Sequence, residues 1–446
     1  MLVTELPWRD PFDSFAALAG DPHLAFLDSA APGDPRAEIS YLCPDPLAVL
    51  RFDSGTVGDP FAALATWLDR HRTSRGTGAK PPLPFAGGAV GFLGYDLGVA
   101  AAGVPTRHDP IPGLPDGWFG LYDTVLGFEH RTRRLWYIAY DRPGASAIVR
   151  LEALRRRLDG LVRLGAVPRL DWQPEWSEAA YCDRVEQVRA YIAAGDIFQV
   201  NLTHRFRAPR PAGFSTEALY GALRRQSPAP FSAHLACGDG MAIIGASPES
   251  FLRLDPDGWV ETRPIKGTAP RGTTVEDDDR LGRALCASAK DRAENLMIAD
   301  LMRNDLGRVC EIGSVHVTAL CALERFARAH HLVSVVRGRL RPGLGAIDLL
   351  RASFPGGSIT GAPKHRAMQI IDEIETARRG AYCGTLAWLG FDGAMGSAII
   401  IRTIVATTET LFAQAGGGIV WDSDPGAEYA EMLLKVGPLL AAHDGG

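Results

Sequence analysis

A mixed fold of the α/β or α+β type is predicted, and three observations predict it. Segments of alternating hydrophobicity, such as "LWYIAYD" (Leu135–Asp141) and "IFQVNLTHRF", are interleaved with segments of helical spacing, such as "AKDRAENLMIADLMRNDLGRV" (Ala289–Val309). The chain has 446 residues, 46% hydrophobic and 22% charged, enough for a large core of ordinary soluble composition. It carries no internal repeat and no low-complexity tract, so a solenoid or a disordered chain is excluded.

The elements follow in order. The first ~165 residues, rich in Gly, Pro and Ala, read as a β layer broken by loops. Within them "LPFAGGAVGFLGYDLG" (Leu83–Gly98) spaces its glycines for close backbone packing. "ASAIVRLEALRRRLDGLVRLG" reads as an amphipathic helix and "VPRLDWQPEW" as a connector. A boundary is therefore placed at 165–175, dividing an N-terminal mostly β region (1–170) from a C-terminal region (171–446). Ser177 caps a helix that runs to Gly195 and gives way to the strand "IFQVNLTHRF". Three further strands close the chain: "YCGTLAWLGF", "SAIIIRTIVA" and "TLFAQAGG".

Composition also narrows the function. A formal charge of −5 leaves no basic footprint, so nucleic acid is not the expected partner. No apolar run approaches the roughly 18 residues that span a bilayer. The start "MLVTELPWRD" has no secretory pattern, so a cytoplasmic setting is expected. The seven cysteines (43, 182, 237, 286, 310, 321 and 383) form no CxxC pair, arguing against zinc or a disulfide framework. None sits in a glycine-flanked nucleophile turn.

Charge appears where the pattern says core. In "ETRPIKGTAPRG", Lys266 stands between an apolar residue and Gly267; alone, it reads as a strand-end lysine reaching water. Along Ala289–Val309, Met297, Ile298 and Leu301 form the apolar stripe, with Met302 at its edge and Arg292, Ala299 and Arg303 facing away. Glu294 projects onto that stripe, and Asp291 and Asp305 lie close by. Such acids need a partner: an ion pair with Lys290, or a cation. In "DSDPGAEYAEMLLKVGPLL", Asp424 caps a helix begun by Pro425, and Glu428, Glu431 and Lys435 share one face beside Met432 and Leu439. Carboxylates on two helices, with no His or Cys beside them, suit a hard cation such as Mg²⁺; a solvated helix face is the other reading. On "SAIIIRTIVA", alternation puts Arg402 on the face of Ile400 and Ile404, where it needs a planar anion. The amides of "AGGGIV" (Ala415–Val420) can line an anion site. "GGSITGAPKHR" is no nucleotide-phosphate loop, because Ala362 and Pro363 follow Gly361 where lysine and a hydroxyl belong; it reads as a turn into a helix starting at Pro363.

Several long motifs resemble the chorismate-utilising enzymes, whose members make anthranilate, aminodeoxychorismate, isochorismate or salicylate. They are "SPESF", "TRPIKGT", "KDRAENLMIADLMRNDLGRV", "HHLVS", "FPGGSITGAPKHRAMQIIDEIE" and "AGGGIVWDSDPGAEYAEMLLK". The match spans 175–440, with a looser likeness at "FAGGAVGFLGYDLG". The resemblance implies two large packed β-sheets flanked by helices, with the active site in the cleft between them. It also implies Mg²⁺ and the dicarboxylate chorismate.

Within the family, Lys266 replaces the alanine of the anthranilate, isochorismate and salicylate branches. Gln199 replaces the lysine with which the latter two activate water. The implied reaction is amination of chorismate by ammonia to 4-amino-4-deoxychorismate, on the para-aminobenzoate route to folate. The alternatives are an anthranilate-forming enzyme and a non-catalytic chorismate- or tryptophan-binding subunit. By resemblance Glu249 is the general acid, and Lys266 acts as a nucleophile or as a cation on the departing hydroxyl. Glu294 and Glu431 bind Mg²⁺, with Asp291 and Glu428 in or near its shell. Tyr382, Arg402, Gly416 and Lys435 hold carboxylates, and His331, Gly267 and Thr268 line the ring pocket. Ammonia is expected from a separate glutamine amidotransferase subunit. Tryptophan is a further candidate ligand of the N-terminal sheet, although "AFLDSA" (Ala25–Ala30) carries Asp28 where that branch has glutamate.

Overall fold

Alternating apolar side chains commit most of the chain to strands, and two sheets collect them. A computed structural model describes residues 1–55, 58–71, 81–160, 162–326 and 329–443. Among these, the larger sheet runs in space through Leu2–Leu6, Arg134–Ala139, Thr124–Glu129, Ile39–Cys43, Ala25–Asp28 and Phe231–Ala236. It continues through Ala242–Ser247, Thr403–Ala406, Thr410–Ile419, Gln199–Pro209 and Gly361–Ala362, with Gln173–Pro174 laid against Gln199–Pro209. The second sheet runs through Ile265–Pro270, Ala329–Arg339, Trp259–Thr262, Ser250–Leu254, Met395–Ile399, Thr385–Gly390, Gly88–Leu93, Gly117–Tyr122 and Ala48–Phe52. His316–Arg325 flanks Ala329–Arg339. Both sheets take strands from either side of residue 170, joined antiparallel where Ala25–Asp28 meets Phe231–Ala236 and where Gly88–Leu93 meets Thr385–Gly390.

The inner faces pack on one another. Val125 and Ile243 of the larger sheet share one buried cluster with Val90, Phe92 and Trp118 of the second. Helices flank them, giving the mixed two-sheet fold expected. No helix among the described residues is long and apolar enough to cross a membrane. All seven cysteines are free.

Local chemistry sets the helix ends. Ser146 Oγ accepts the Val149 amide to start Ala147–Leu158, which ends earlier than its periodicity suggested; Leu161 lies outside the described residues. Ser177 caps Glu178–Ala193 through the Ala180 amide, and Asp424 caps Pro425–Leu440 through Ala427. Pro363 precedes Lys364–Ile374, as the sequence predicts.

Two expectations are corrected. "SAIIIRTIVA" is not one strand. Met395–Ile399 belongs to the second sheet and Thr403–Ala406 to the larger one, and the chain crosses between them at Ile400–Arg402. Arg402 turns the corner at φ 51°, so it does not share a strand face with Ile400 and Ile404. Alternation is unbroken through such a crossing because each half is buried in its own sheet. The second correction concerns Ala289–Gly307. Its buried face is Asn295, Ile298, Ala299, Met302, Asp305 and Leu306, so Ala299 points inward, and Glu294 sits half-buried on the flank. Polar residues hold that face in place. Asn295 donates to Leu332 O (2.9 Å) and accepts from Ser334, while Asp305 pairs with Lys364 at 2.5 Å.

Candidate active site

The centre of the site is built where the sheets exchange strands. Pro248 and Glu249 link Ala242–Ser247 of the larger sheet to Ser250–Leu254 of the second; Ile400–Arg402 makes the reverse crossing. The two crossings lie side by side. The Ala246 amide donates to Arg402 O (3.0 Å), the Ile399 amide to Glu249 O (3.1 Å), and Ser247 Oγ to Ile399 O (2.7 Å). Backbone in mutual hydrogen bonding at a junction cannot slide in register, so Glu249 and Arg402 are held on a fixed frame.

Lys266 approaches from the second sheet on a β-bulge. Ile265 opposes Val333 and Thr268 opposes His331, so Lys266 and Gly267 together face Leu332 alone. Gly267 has φ 84°, and a Cβ there would sit 2.9 Å from Asp291 Cβ. The bulge re-aims the lysine. It enters a nest of carboxylates, where its charge acts on Glu249, Glu294 and Glu431. Burial pushes the Glu249 carboxyl above the usual range, opposed by Lys266, a hydrogen bond from Ser358 and the Arg36 guanidinium.

Glu294 is likewise raised by burial, with Lys266 and Lys290 opposing and Asp291 and Glu428 adding to it. Among the described residues it closes no ion pair with Lys290. Burial raises Glu428 too, against the 2.7 Å hydrogen bond from Ser423, and Glu431 adds to the rise. Burial would also raise Glu431, but Lys435 (2.7 Å), Lys290 and Lys266 hold it below the usual range.

Two helices thus present neighbouring carboxylates, Glu428 buried, Glu294 half-buried and Glu431 exposed, with oxygen donors only. That is the donor chemistry of a hard divalent cation. Among the described residues no three His, Cys, Asp or Glu side chains converge to hold a metal alone. A cation here would complete its shell with water and an anionic ligand, which suits Mg²⁺.

An anion side faces this acid side. Arg402 makes no ion pair among the described residues, and burial lowers its pKa, with Tyr382 and Glu431 opposing. A half-buried guanidinium without an ion-pair partner suits a carboxylate from outside the chain. Lys435 Nζ donates to Gly416 O (3.0 Å). A Cβ at Gly417 would meet Glu428 Oε2 at 3.1 Å, so the glycine run keeps this edge open. Beside the bulge, His331 Nδ1 lies 3.0 Å from Thr268 Oγ1. Burial, then Arg36, pushes His331 down to about 4, so its ring is neutral at ordinary pH. Lys266 is thus linked to Glu249, Glu294 and Glu431, Glu431 to Arg402 and Lys435, and Thr268 to His331.

Two groups carry no sequence signal, and a third reaches further than its spacing suggests. Arg36 comes from an N-terminal loop with no pattern to mark it. Ser358 lies in the glycine turn, where its hydroxyl had no assigned partner. Lys290 was weighed only against Glu294, whereas it also acts on Glu428 and Glu431. Gln199 is fully buried, and neither end of its amide has a hydrogen-bond partner among the described residues. Farther off, Asp28 accepts from Ser40 (2.8 Å), Tyr220 (2.8 Å) and Arg224 (2.7 Å), so its carboxylate is fully engaged within the chain.

Comparison with known proteins matches residues 25–441 to a chorismate binding enzyme family. The chain is 47% identical over 360 residues to aminodeoxychorismate synthase component 1 of Klebsiella aerogenes, covering 81% of this chain and 78% of that protein. It is 41% identical over 451 residues to anthranilate synthase component 1 of Streptomyces coelicolor, covering 97% and 86%. Its fold is similar to the crystal structure of anthranilate synthase component I from Streptococcus pneumoniae, with a TM-score of 0.79 at 34% identity over 91% of this chain and 92% of that one.

Proposed function

The chain belongs to the chorismate binding enzyme family, and we propose that it aminates chorismate at C4 to give 4-amino-4-deoxychorismate with the enolpyruvyl group retained. One observation carries this reading: Lys266, a primary amine on a bulge, acts by its charge on the Glu249 carboxyl, whose pKa lies above the usual range. The Lys266 amine attacks C2 through its nitrogen lone pair, both ring double bonds shift, and the C4 hydroxyl leaves as water with the proton of Glu249. Ammonia then bonds to C4, the double bonds shift back, and the C2–nitrogen bond breaks to release Lys266. The proton shed by the new amine returns to Glu249. The balance is chorismate plus ammonia to aminodeoxychorismate plus water.

Arg402 takes one substrate carboxylate, helped by Tyr382, Gly416 and Lys435, while His331, Gly267 and Thr268 line the ring. Glu294 and Glu431 would hold Mg²⁺, with Asp291 and Glu428 beside them, and the ion would supply positive charge to neutralise the substrate's ring carboxylate. The unpartnered amide of Gln199 supports a neutral nucleophile such as ammonia over a base-activated water. A separate glutamine amidotransferase subunit supplies that ammonia; the "component 1" in the names of the relatives supports a partner. The pathway is para-aminobenzoate and folate synthesis.

Likeness to anthranilate synthases supports a second reading, in which pyruvate is lost and anthranilate forms. The test is to incubate the chain with chorismate, Mg²⁺ and ammonium at mildly alkaline pH and resolve the products by mass. Aminodeoxychorismate without pyruvate upholds the first reading; anthranilate with pyruvate replaces it with the second.

A further inference from the structure

We infer that Arg36, from the loop between Ala25–Asp28 and Ile39–Cys43, is a positioning residue for Glu249. The inference rests on the reading of Glu249 as the acid of the reaction. Four contacts fix the guanidinium. Its Nε and Nη2 bond both oxygens of Asp34 (3.0 and 2.7 Å), a fork-to-fork pair with side chains 14% and 6% exposed. Its Nη1 donates to Pro248 O (2.9 Å), the carbonyl immediately before Glu249. Its Cζ lies 3.9 Å from the Phe326 ring centroid and 5.9 Å from that of Phe231. The Phe326 ring in turn packs on His331 at 5.3 Å. One N-terminal side chain therefore braces the crossing that carries Glu249 and the aromatic wall behind His331.

A guanidinium so placed does two things for Glu249. It pins the peptide from which the acid projects, and it sets a positive charge nearby. The other groups acting on that carboxyl are Lys266 from the bulge and the Ser358 hydroxyl from the glycine turn; Asp34 and His331 face Arg36 itself. Removing the Arg36 charge strengthens the hold of Glu249 on its proton, and removing Asp34 weakens it.

The experiment is the pH profile of kcat and kcat/KM for chorismate with ammonium as nitrogen source. For Arg36→Gln the limb on which activity falls with rising pH should move up by about one unit. Its kcat should drop about tenfold with a smaller change in KM. Arg36→Lys keeps the charge and should leave the limb in place, while Asp34→Asn should move it down. A limb that stays put in both Arg36→Gln and Asp34→Asn overturns the inference, as does Arg36→Lys shifting like Arg36→Gln. Should Arg36→Gln not fold, the opposite shift in Asp34→Asn decides. Wild-type product analysis separates the two levels: a wild type that consumes no chorismate removes the premise, whereas normal products with unmoved limbs sink only the role of Arg36.

Discussion

Burial raises the Glu249 pKa, which favours the protonated carboxyl that a general acid needs, and the Lys266 charge opposes that rise. With the Glu249 pKa raised, activity should fall as pH rises through that value, and Glu249→Gln should remove this limb and lower kcat by about 10²–10⁴-fold. Lys266→Ala should abolish amination or divert it to anthranilate, read by mass, with chorismate binding largely kept because Arg402 is untouched. Glu294 and Glu428 carry a stability cost in the same currency. Their folded pKa values lie above the unfolded ones, so folding retains protons that unfolding releases, and stability falls as pH rises through that window. Glu294→Gln should therefore raise Tm by about 1–2 °C at neutral pH without Mg²⁺, and lose the further rise that Mg²⁺ gives the wild type. If both proteins respond equally to Mg²⁺, Glu294 is not a ligand. The carboxylate clusters were legible because acids at helical spacing beside apolar residues are rare. Arg36 was not legible: a lone arginine in a Gly/Pro-rich loop has no periodicity to betray where its guanidinium ends.

Among the elements, the bulge at Lys266–Gly267 and the helix Ala289–Gly307 set the alignment of the site. Gly267→Ala meets both a left-handed φ and Asp291, and should cost about 1–2 kcal/mol in denaturant titration with a larger fall in kcat. The helix is tied down by Asp305–Lys364, both partners largely buried. Lys364→Ala should cost about 3–5 kcal/mol by leaving a buried carboxylate alone, and pairing it with Asp305→Leu should recover much of that loss. Equal stability of the single and double variants would mean that the pair is solvated. The helix caps at Ser177 and Asp424 were readable because each depends on its own side chain and an amide three residues on. The inward face of Ala289–Gly307 was misread for the opposite reason. Asn295 and Asp305 face the core through partners on Leu332, Ser334 and Lys364, and hydropathy alone counts them as outward.

Across the whole molecule, neither half owns a sheet. Cutting near residue 170 would bare the edges of Phe231–Ala236 and Thr385–Gly390, so each half expressed alone should aggregate, and co-expression should restore soluble protein. The engaged carboxylate of Asp28 argues against an amine ligand there, so tryptophan should neither inhibit the enzyme nor raise its Tm. Sequence alone determined the mixed class, most strands, the helix caps, the two acidic helices and, through its motifs, the family, because each depends on residues a few positions apart. Tertiary structure alone decided that "SAIIIRTIVA" breaks between sheets, that Arg402 turns a corner beside Glu249, and that an arginine from the first forty residues bonds the carbonyl before Glu249. Those features depend on contacts that span 152 to 212 residues of chain, and no local period encodes that.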